Sequence, residues 1–174
     1  MFELDHYRAA RAHAAIVPRS ERRLIGLRGR DHISFLHSLL SNDIEHLGIW
    51  AGCYATLLTP QGRMISDTVV LNGGPDFLLD VPRATHAKLL TRLDRSIFSE
   101  DVRVIDRSEL TSIGIYGPHA VSMVSGALEA TGARVSSDDP EPMEPMGAWR
   151  EYQNRLYVLD GKPIVVVRDG ELGL

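Results

Sequence analysis

The chain of 174 residues is poor in cysteine and in aromatic side chains. Its one cysteine, Cys53, excludes a disulfide within the chain and a metal cage made only of cysteines. Aromatic residues make up 6%, whereas 15 Gly and 9 Pro are present, which favours a mixed fold with many short connections over a helical bundle. We expect a protein of a reducing compartment, and therefore a cytoplasmic one.

Long runs of one residue type are also missing. No basic block accompanies the net charge of −4, so nucleic acid is a poor candidate partner. No stretch approaches the roughly 20 apolar residues of a membrane helix, and residues 1–15 carry charges instead of the apolar stretch of a secretory signal. The seven histidines show no metal-binding spacing such as H-E-x-x-H. The sequence therefore predicts neither a membrane protein nor a metal site.

The chain does contain enough apolar material for one globular domain. With 44% apolar residues, residues 1–174 are expected to form a single unit that buries roughly two thirds of its unfolded surface. The three β-prone runs between residues 54 and 81 are joined by short turns, which predicts an antiparallel sheet. Helical patterns cover 7–15, 31–40, 82–97 and 119–130, and β-prone runs cover 23–27, 54–58, 64–71, 77–81, 102–105, 111–116, 148–152, 155–159 and 163–167.

A repeated pattern indicates an internal duplication. Residues 24–29 and 112–117 share the pattern I-G-aliphatic-x-G, and a helix is predicted after each. The halves would span about 20–107 and 110–174, with an acidic, Pro-rich connection at 136–146, and the second half stops before its last helix. Chance convergence of short Gly patterns stays open as an alternative. Whether the chain is a fragment of a longer protein stays open too.

Three sequence blocks and a Gly-Glu-x-Gly stretch at residue 170 carry a family resemblance. The blocks read F-L-x-x-L-L-S-N-D-I from residue 35, L-L-T-P-Q-G-R-M-x-x-D from residue 57 and I-G-I-Y-G-P-x-A from residue 113. In this order and spacing they resemble the aminomethyltransferase (glycine cleavage T-protein) superfamily, from about residue 11 onward. Thr-Pro-Gln-Gly-Arg at 59–63 is similar to the folate-binding YgfZ-type branch, which assists iron-sulfur enzymes, although that branch's cysteine motif has no copy here.

The resemblance implies a fold, a ligand and a function. The fold is α+β, with two β-β-α-β-β-β-α units that exchange their first strands and a second copy that is truncated. The ligand is tetrahydrofolate or a one-carbon folate derivative, and the function is an accessory role in maturation or repair of iron-sulfur enzymes, which would be partner proteins. Two alternatives stay open: an aminomethyltransferase, which would need a lipoyl carrier protein, and a protein-interaction module that has lost the ligand.

Asp67 is the candidate catalytic residue. It matches the second of two paired aspartates in the family, where this residue orients folate and supports one-carbon transfer, while Ser66 replaces the first. A carboxylate in an apolar strand is costly to bury unless it is hydrogen-bonded or protonated, so it suits a ligand anchor or an acid or base. The alternative is a solvated residue on the polar face of a hairpin.

Seven further residues are expected to contact the folate. By resemblance, the carboxylate of Glu171 accepts two N–H bonds from the pterin ring, and the alternative is an exposed residue near the terminus. Arg63 could face the acidic tail of folate or serve only solubility. The remaining five each have an ordinary structural alternative as a helix cap or a core residue. They are the aromatic stacking partner Tyr116, Asn42 of the loop that borders the folate cavity, and the three apolar walls Leu39, Leu58 and Val69.

Overall fold

The computed structural model describes residues 4–136 and 144–170, with side chains from Tyr7 onward. It contains four helices and ten strands among these residues, so the predicted α+β class is confirmed. The helices are α1 (Leu4–Ala12), α2 (His32–Leu39), α3 (Arg83–Asp94) and α4 (Ala120–Thr131). The strands are β1 (Ala15–Pro18), β2 (Arg22–Arg28), β3 (Gly52–Leu58), β4 (Met64–Asn72), β5 (Phe77–Pro82), β6 (Arg103–Asp106), β7 (Ile113–Tyr116), β8 (Arg134–Val135), β9 (Asn154–Leu159) and β10 (Lys162–Val167).

The chain divides into two compact units. The first, here called the central unit, is Ser20–Ser112, and the second, the flanking unit, combines Met1–Arg19 with Ile113–Leu174. The halves predicted from the sequence differ from these units, because they assign no N-terminal segment to the second half. No helix in the described part of the chain is long and apolar enough to cross a lipid bilayer.

The central unit is built on one five-stranded antiparallel sheet of order β3-β4-β5-β2-β6. The predicted three-stranded meander is its β3-β4-β5 part, and its first hairpin turns at Gly62, whose φ of 77° is a conformation that glycine adopts without strain. Alternate residues of each strand point to the core, because successive side chains of a strand lie on opposite faces. The core consists of buried residues from one sheet face, from α2 and α3, and from nearby loops: Ile25, Leu27, Phe35, Leu36, Leu40, Ile44, Ala55, Leu57, Val70, Phe77, Leu79, Val81, Leu89, Leu93 and Val102.

The flanking unit contains two smaller sheets. β1 pairs with β7, and β8, β9 and β10 form an antiparallel sheet of order β10-β9-β8. α4 ends at Gly132, whose left-handed φ of 68° is the helix cap that the sequence predicts.

Two sequence predictions in the flanking unit are wrong. The run at 148–152 is not a strand: a 3₁₀ turn at Met146–Ala148 precedes it, and Tyr152 has a φ of 59°, which interrupts extended backbone. The third strand of that sheet is the short β8 instead. The helix predicted at 7–15 ends at Ala12, and the chain then enters β1, which the pattern analysis did not predict.

Two consecutive series of elements along the chain follow the same order. The order β-β-α-β-β-β-α runs from β1 to α3, and the same order up to its sixth element runs from β6 to β10. The first strand of each series pairs outside its own series, β1 with β7 and β6 with β2, which is the pairing that an exchange of first strands produces.

Two glycines of the repeated sequence pattern are also alike in structure. Gly29 and Gly117 have φ values of 127° and 120°. A Cβ at Gly29 would meet the carbonyl of Asp101, two residues before β6. One at Gly117 would meet the carbonyls of Ala10 and His13, and His13 lies two residues before β1. These parallels support the duplication, which stays a prediction.

Candidate functional site

The candidate site lies on the face of the five-stranded sheet that points away from the core. On β4, Ser66, Thr68 and Val70 are buried on the core side, while Asp67 and Val69 are half-buried on the opposite side, here called the second face. In the antiparallel register Asp67 lies opposite Thr56, and Val69 lies opposite Tyr54 and Asp80. Residues directly opposite one another share a face, so the second face gathers carboxylate, hydroxyl, aromatic and aliphatic groups.

Arg22 joins the two carboxylates of the second face. Its Nε donates to Asp80 Oδ1 at 2.9 Å, and its Nη2 donates to the Asp80 carbonyl oxygen at 2.6 Å. Its Nη1 faces Asp67 Oδ2 at 3.5 Å. One guanidinium therefore spans β2, β5 and β4 and neutralises part of the negative charge of two aspartates.

The charge of Arg22 is well supported by its surroundings. Burial acts to lower the pKa of Arg22, but the nearby carboxylates of Asp80 and then Asp67 outweigh it and raise the pKa above its ordinary value. The side chains of Arg22 and Asp80 are only 14% and 11% exposed, whereas that of Asp67 is 27% exposed. Asp67 is thus the member of this cluster that a ligand reaches most easily.

Ser66 does not leave a gap beside Asp67. Because it is the neighbouring residue of the strand, its side chain lies on the core side, where its hydroxyl oxygen is 2.7 Å from that of Thr85 on α3. An aspartate here would also point to the core side, away from the second face. The second carboxylate next to Asp67 comes instead from Asp80, a residue that the sequence analysis did not select.

An open cavity borders this cluster. It has a volume of about 570 Å³ and is lined by Glu21, Arg22, Pro82, Arg83 and Ala84. The cavity lies where β2 begins and β5 ends, since Arg22 pairs with Pro82 in the register.

Three of the predicted contacts lie on or near the edge strand β3. Asn42 donates from Nδ2 to the Tyr54 carbonyl oxygen at 2.8 Å and accepts at Oδ1 from the Asp43 N–H at 2.7 Å. Leu39 is partly buried and packs against the core, and Leu58 is 40% exposed at the end of β3. In the structure, the side chain of Asn42 is hydrogen-bonded to β3 at the edge of the sheet. Its contact with folate stays a prediction.

Two other predicted contacts, Arg63 and Tyr116, lie on elements other than β4 and β5. Arg63 is exposed in the β3–β4 hairpin, where Thr59 Oγ1 accepts from its N–H at 3.2 Å. Tyr116 is half-buried on β7 of the flanking unit. Glu171 lies outside the described residues. Of the predicted site, Asp67 and Val69 lie on the second face within the described part of the chain, and Leu58 lies on the same side by the alternation along β3.

Arg22 and Asp80 are the residues that sequence reasoning missed. Asp80 interrupts the apolar strand Phe77–Pro82, the same signal that singled out Asp67. Arg22 stands in a Glu-Arg-Arg run that resembles an ordinary charged surface. Only the strand order brings β4, β5 and β2 side by side.

Comparison with a solved structure agrees with this fold. A crystal structure of the glycine cleavage system aminomethyltransferase T from Bartonella henselae aligns with 87% of this chain and 38% of its own, at a TM-score of 0.68 and 21% sequence identity. At that identity the likeness concerns the fold alone.

Comparison with sequences gives the family. An aminomethyltransferase of Xanthomonas oryzae pv. oryzae is 29% identical over 173 residues, which cover 98% of this chain and 44% of the relative. An aminomethyltransferase of Xylella fastidiosa is 30% identical over 131 residues, or 74% of this chain and 36% of the relative. The chain thus spans less than half the length of the curated relatives it matches. Residues 3–140 match the GCVT N-terminal domain, and the chain therefore belongs to this family.

Proposed function

We propose that this chain binds tetrahydrofolate or a one-carbon folate derivative, with Asp67 as its polar anchor. The observation that carries the proposal is the position of Asp67, half-buried on the second face beside Arg22, Asp80 and Val69. A carboxylate accepts hydrogen bonds with both oxygens, and the nitrogens of reduced folate offer N–H donors. Val69 and Tyr54 supply apolar and aromatic surface of the kind that ring systems pack against.

The finer role that we propose is that of an accessory protein for iron-sulfur enzymes. The Thr-Pro-Gln-Gly-Arg hairpin at 59–63 supports this choice, since it is similar to the branch with that role. In this role, folate binding regulates or stabilises the protein itself. The iron-sulfur enzymes that it assists would be its protein partners.

Aminomethyl transfer is the second candidate. The relatives compared above are named aminomethyltransferases. The replacement of the family's first aspartate by Ser66 is compatible with it, because Ser66 lies on the core side and outside the second face. Asp67 would then orient the folate nitrogen that accepts the one-carbon unit.

Calorimetric titration tests the shared part of both candidates. Wild-type protein is titrated with tetrahydrofolate and with 5-formyl-tetrahydrofolate, alongside Asp67→Asn and Glu171→Ala. We expect Asp67→Asn to weaken binding about tenfold or more, the loss that one hydrogen bond to a charged group represents. The matched control is Asp76→Asn, which removes another ion-paired aspartate of the central unit, the partner of Arg28.

The outcomes separate three functions. If the folded wild type binds neither folate, a protein-interaction module becomes the better interpretation of its function. If it binds, transfer of an aminomethyl group from a loaded lipoyl carrier protein to tetrahydrofolate identifies the transferase. Binding without transfer supports the accessory role.

A further inference from the structure

Arg22 is held in one orientation before any ligand arrives. Its two short contacts, from Nε and Nη2, both go to Asp80, one to the side chain and one to the backbone. A guanidinium is planar with fixed donor directions, so two bonds to one residue settle where its third nitrogen points. That third nitrogen, Nη1, points to Asp67.

The contact with Asp67 is the longest of the three. Nη1 lies 3.5 Å from Oδ2, near the limit of a hydrogen bond, while the Asp80 contacts are 2.9 and 2.6 Å. Within the described part of the chain, Asp67 Oδ1 takes part in no hydrogen bond, so Arg22 engages one oxygen of the carboxylate and leaves the other available.

We propose that Arg22, oriented by Asp80, is a positioning residue for Asp67. It draws Oδ2 toward β2 and so presents Oδ1 to an N–H group of the bound ligand, a reduced folate. This inference rests on the proposed function, and it assigns to Arg22 and Asp80 a role in the strength of folate binding. An ion pair whose role is only to hold three strands together would instead affect the free energy of unfolding.

A double-mutant cycle distinguishes these roles. The dissociation constant for tetrahydrofolate is measured by calorimetry for wild type, Arg22→Gln, Asp67→Asn and the double variant. We expect Arg22→Gln to weaken binding about tenfold. Because Arg22 acts through Asp67, the double variant should bind no more weakly than Asp67→Asn alone. Independent, additive losses, or an unchanged constant in folded Arg22→Gln, would overturn the proposal.

The same strand offers a matched control. Arg28 also pairs with an aspartate, Asp76, but at the far end of β2. Arg28→Gln should leave the dissociation constant within about twofold of wild type. An equal loss of folate affinity in Arg28→Gln and Arg22→Gln would contradict a role that depends on the position of Arg22. It would point instead to a general effect of positive charge.

Asp80→Asn provides a second route if Arg22→Gln does not fold. The amide keeps an acceptor oxygen for Nε but loses the charge, so Arg22 should be held less firmly and binding should weaken about threefold. Asp80→Asn with wild-type affinity would count against the proposal. A wild type that does not bind folate refutes the proposed function as well, whereas loss in Asp67→Asn without coupling to Arg22 refutes only this inference.

Discussion

The central and flanking units share an order of elements but differ in how they bury their side chains. The central unit has a continuous core in which Leu36, Leu79 and Leu93 are fully buried. In the flanking unit α4 contains no buried residue, although its composition is mostly apolar. Hydrophobic stabilisation scales with the apolar area removed from water, so the same sequence of helices and strands should give the two units different stabilities.

Each unit also carries its own optical probe. The two tryptophans of the chain are Trp50 in the central unit and Trp149 in the flanking unit, and both are only 6% exposed. Trp50→Phe and Trp149→Phe variants therefore report the unfolding of one unit at a time.

The largest effect is expected from Leu79→Ala. Removing a fully buried leucine from β5 leaves a cavity, and the free energy of unfolding should fall by about 2–5 kcal/mol in urea denaturation followed by Trp50. The matched change is Leu128→Ala on α4, which is only partly buried and should cost about 1 kcal/mol or less in the Trp149 transition. Equal losses would show that burial does not distinguish the units.

The next effect concerns the repeated glycines. Gly29→Ala and Gly117→Ala place a Cβ against backbone carbonyls in a positive-φ conformation, and each should destabilise its own unit by about 1–3 kcal/mol. Thermal and urea unfolding with the two tryptophan reporters measure this.

Gly132→Ala is the control for the glycine pair. It also has a positive φ, but its Cβ would meet no atom within 4 Å, so a loss of about 1 kcal/mol is expected. If Gly117→Ala is as mild as Gly132→Ala, the structural equivalence of the two repeated patterns is lost.

Part of this architecture was accessible from sequence and part was not. Local sequence located β2 to β5 to within two residues, because these strands are apolar, β-prone runs and turn residues separate β3, β4 and β5. β1 was missed, since four residues next to a helix give little pattern and its partner β7 is far along the chain. The strand prediction at 148–152 was wrong, because the sequence pattern does not reveal the positive φ of Tyr152.

The candidate site shows the same division. Asp67 could be found from a family block and from a lone carboxylate in an apolar strand. Its neighbours could not, because Arg22 is 45 residues away from Asp67 and 58 from Asp80 in sequence. Their contact depends on the order β4-β5-β2, which no local pattern contains.

Acid should weaken the central unit through its ion pairs. A hydrogen bond from Arg30 lowers the pKa of Asp101, so the unfolded chain takes up this proton first as the pH falls. The stabilisation is fully present above about pH 4, the ordinary value of an aspartate, and is lost as the pH falls through the lowered pKa. The Trp50 transition of Asp101→Asn should therefore shift less between pH 5 and pH 2 than that of wild type. Identical slopes would contradict this.

The smallest effect, a change in labelling rate, tests whether the central unit stays closed while the flanking unit opens. Burial, and then the negative charge of Asp43, raise the pKa of the Cys53 thiol to about 11, so that at pH 8 roughly a thousandth of it is thiolate. Alkylation of native protein should thus be slow and should proceed mainly through opening of β3, on which Cys53 lies. Leu79→Ala should accelerate it about tenfold or more, whereas Leu128→Ala should leave it unchanged. If labelling instead follows the Trp149 transition, the two units open together, and the contrast in burial between them does not divide the molecule into independent parts.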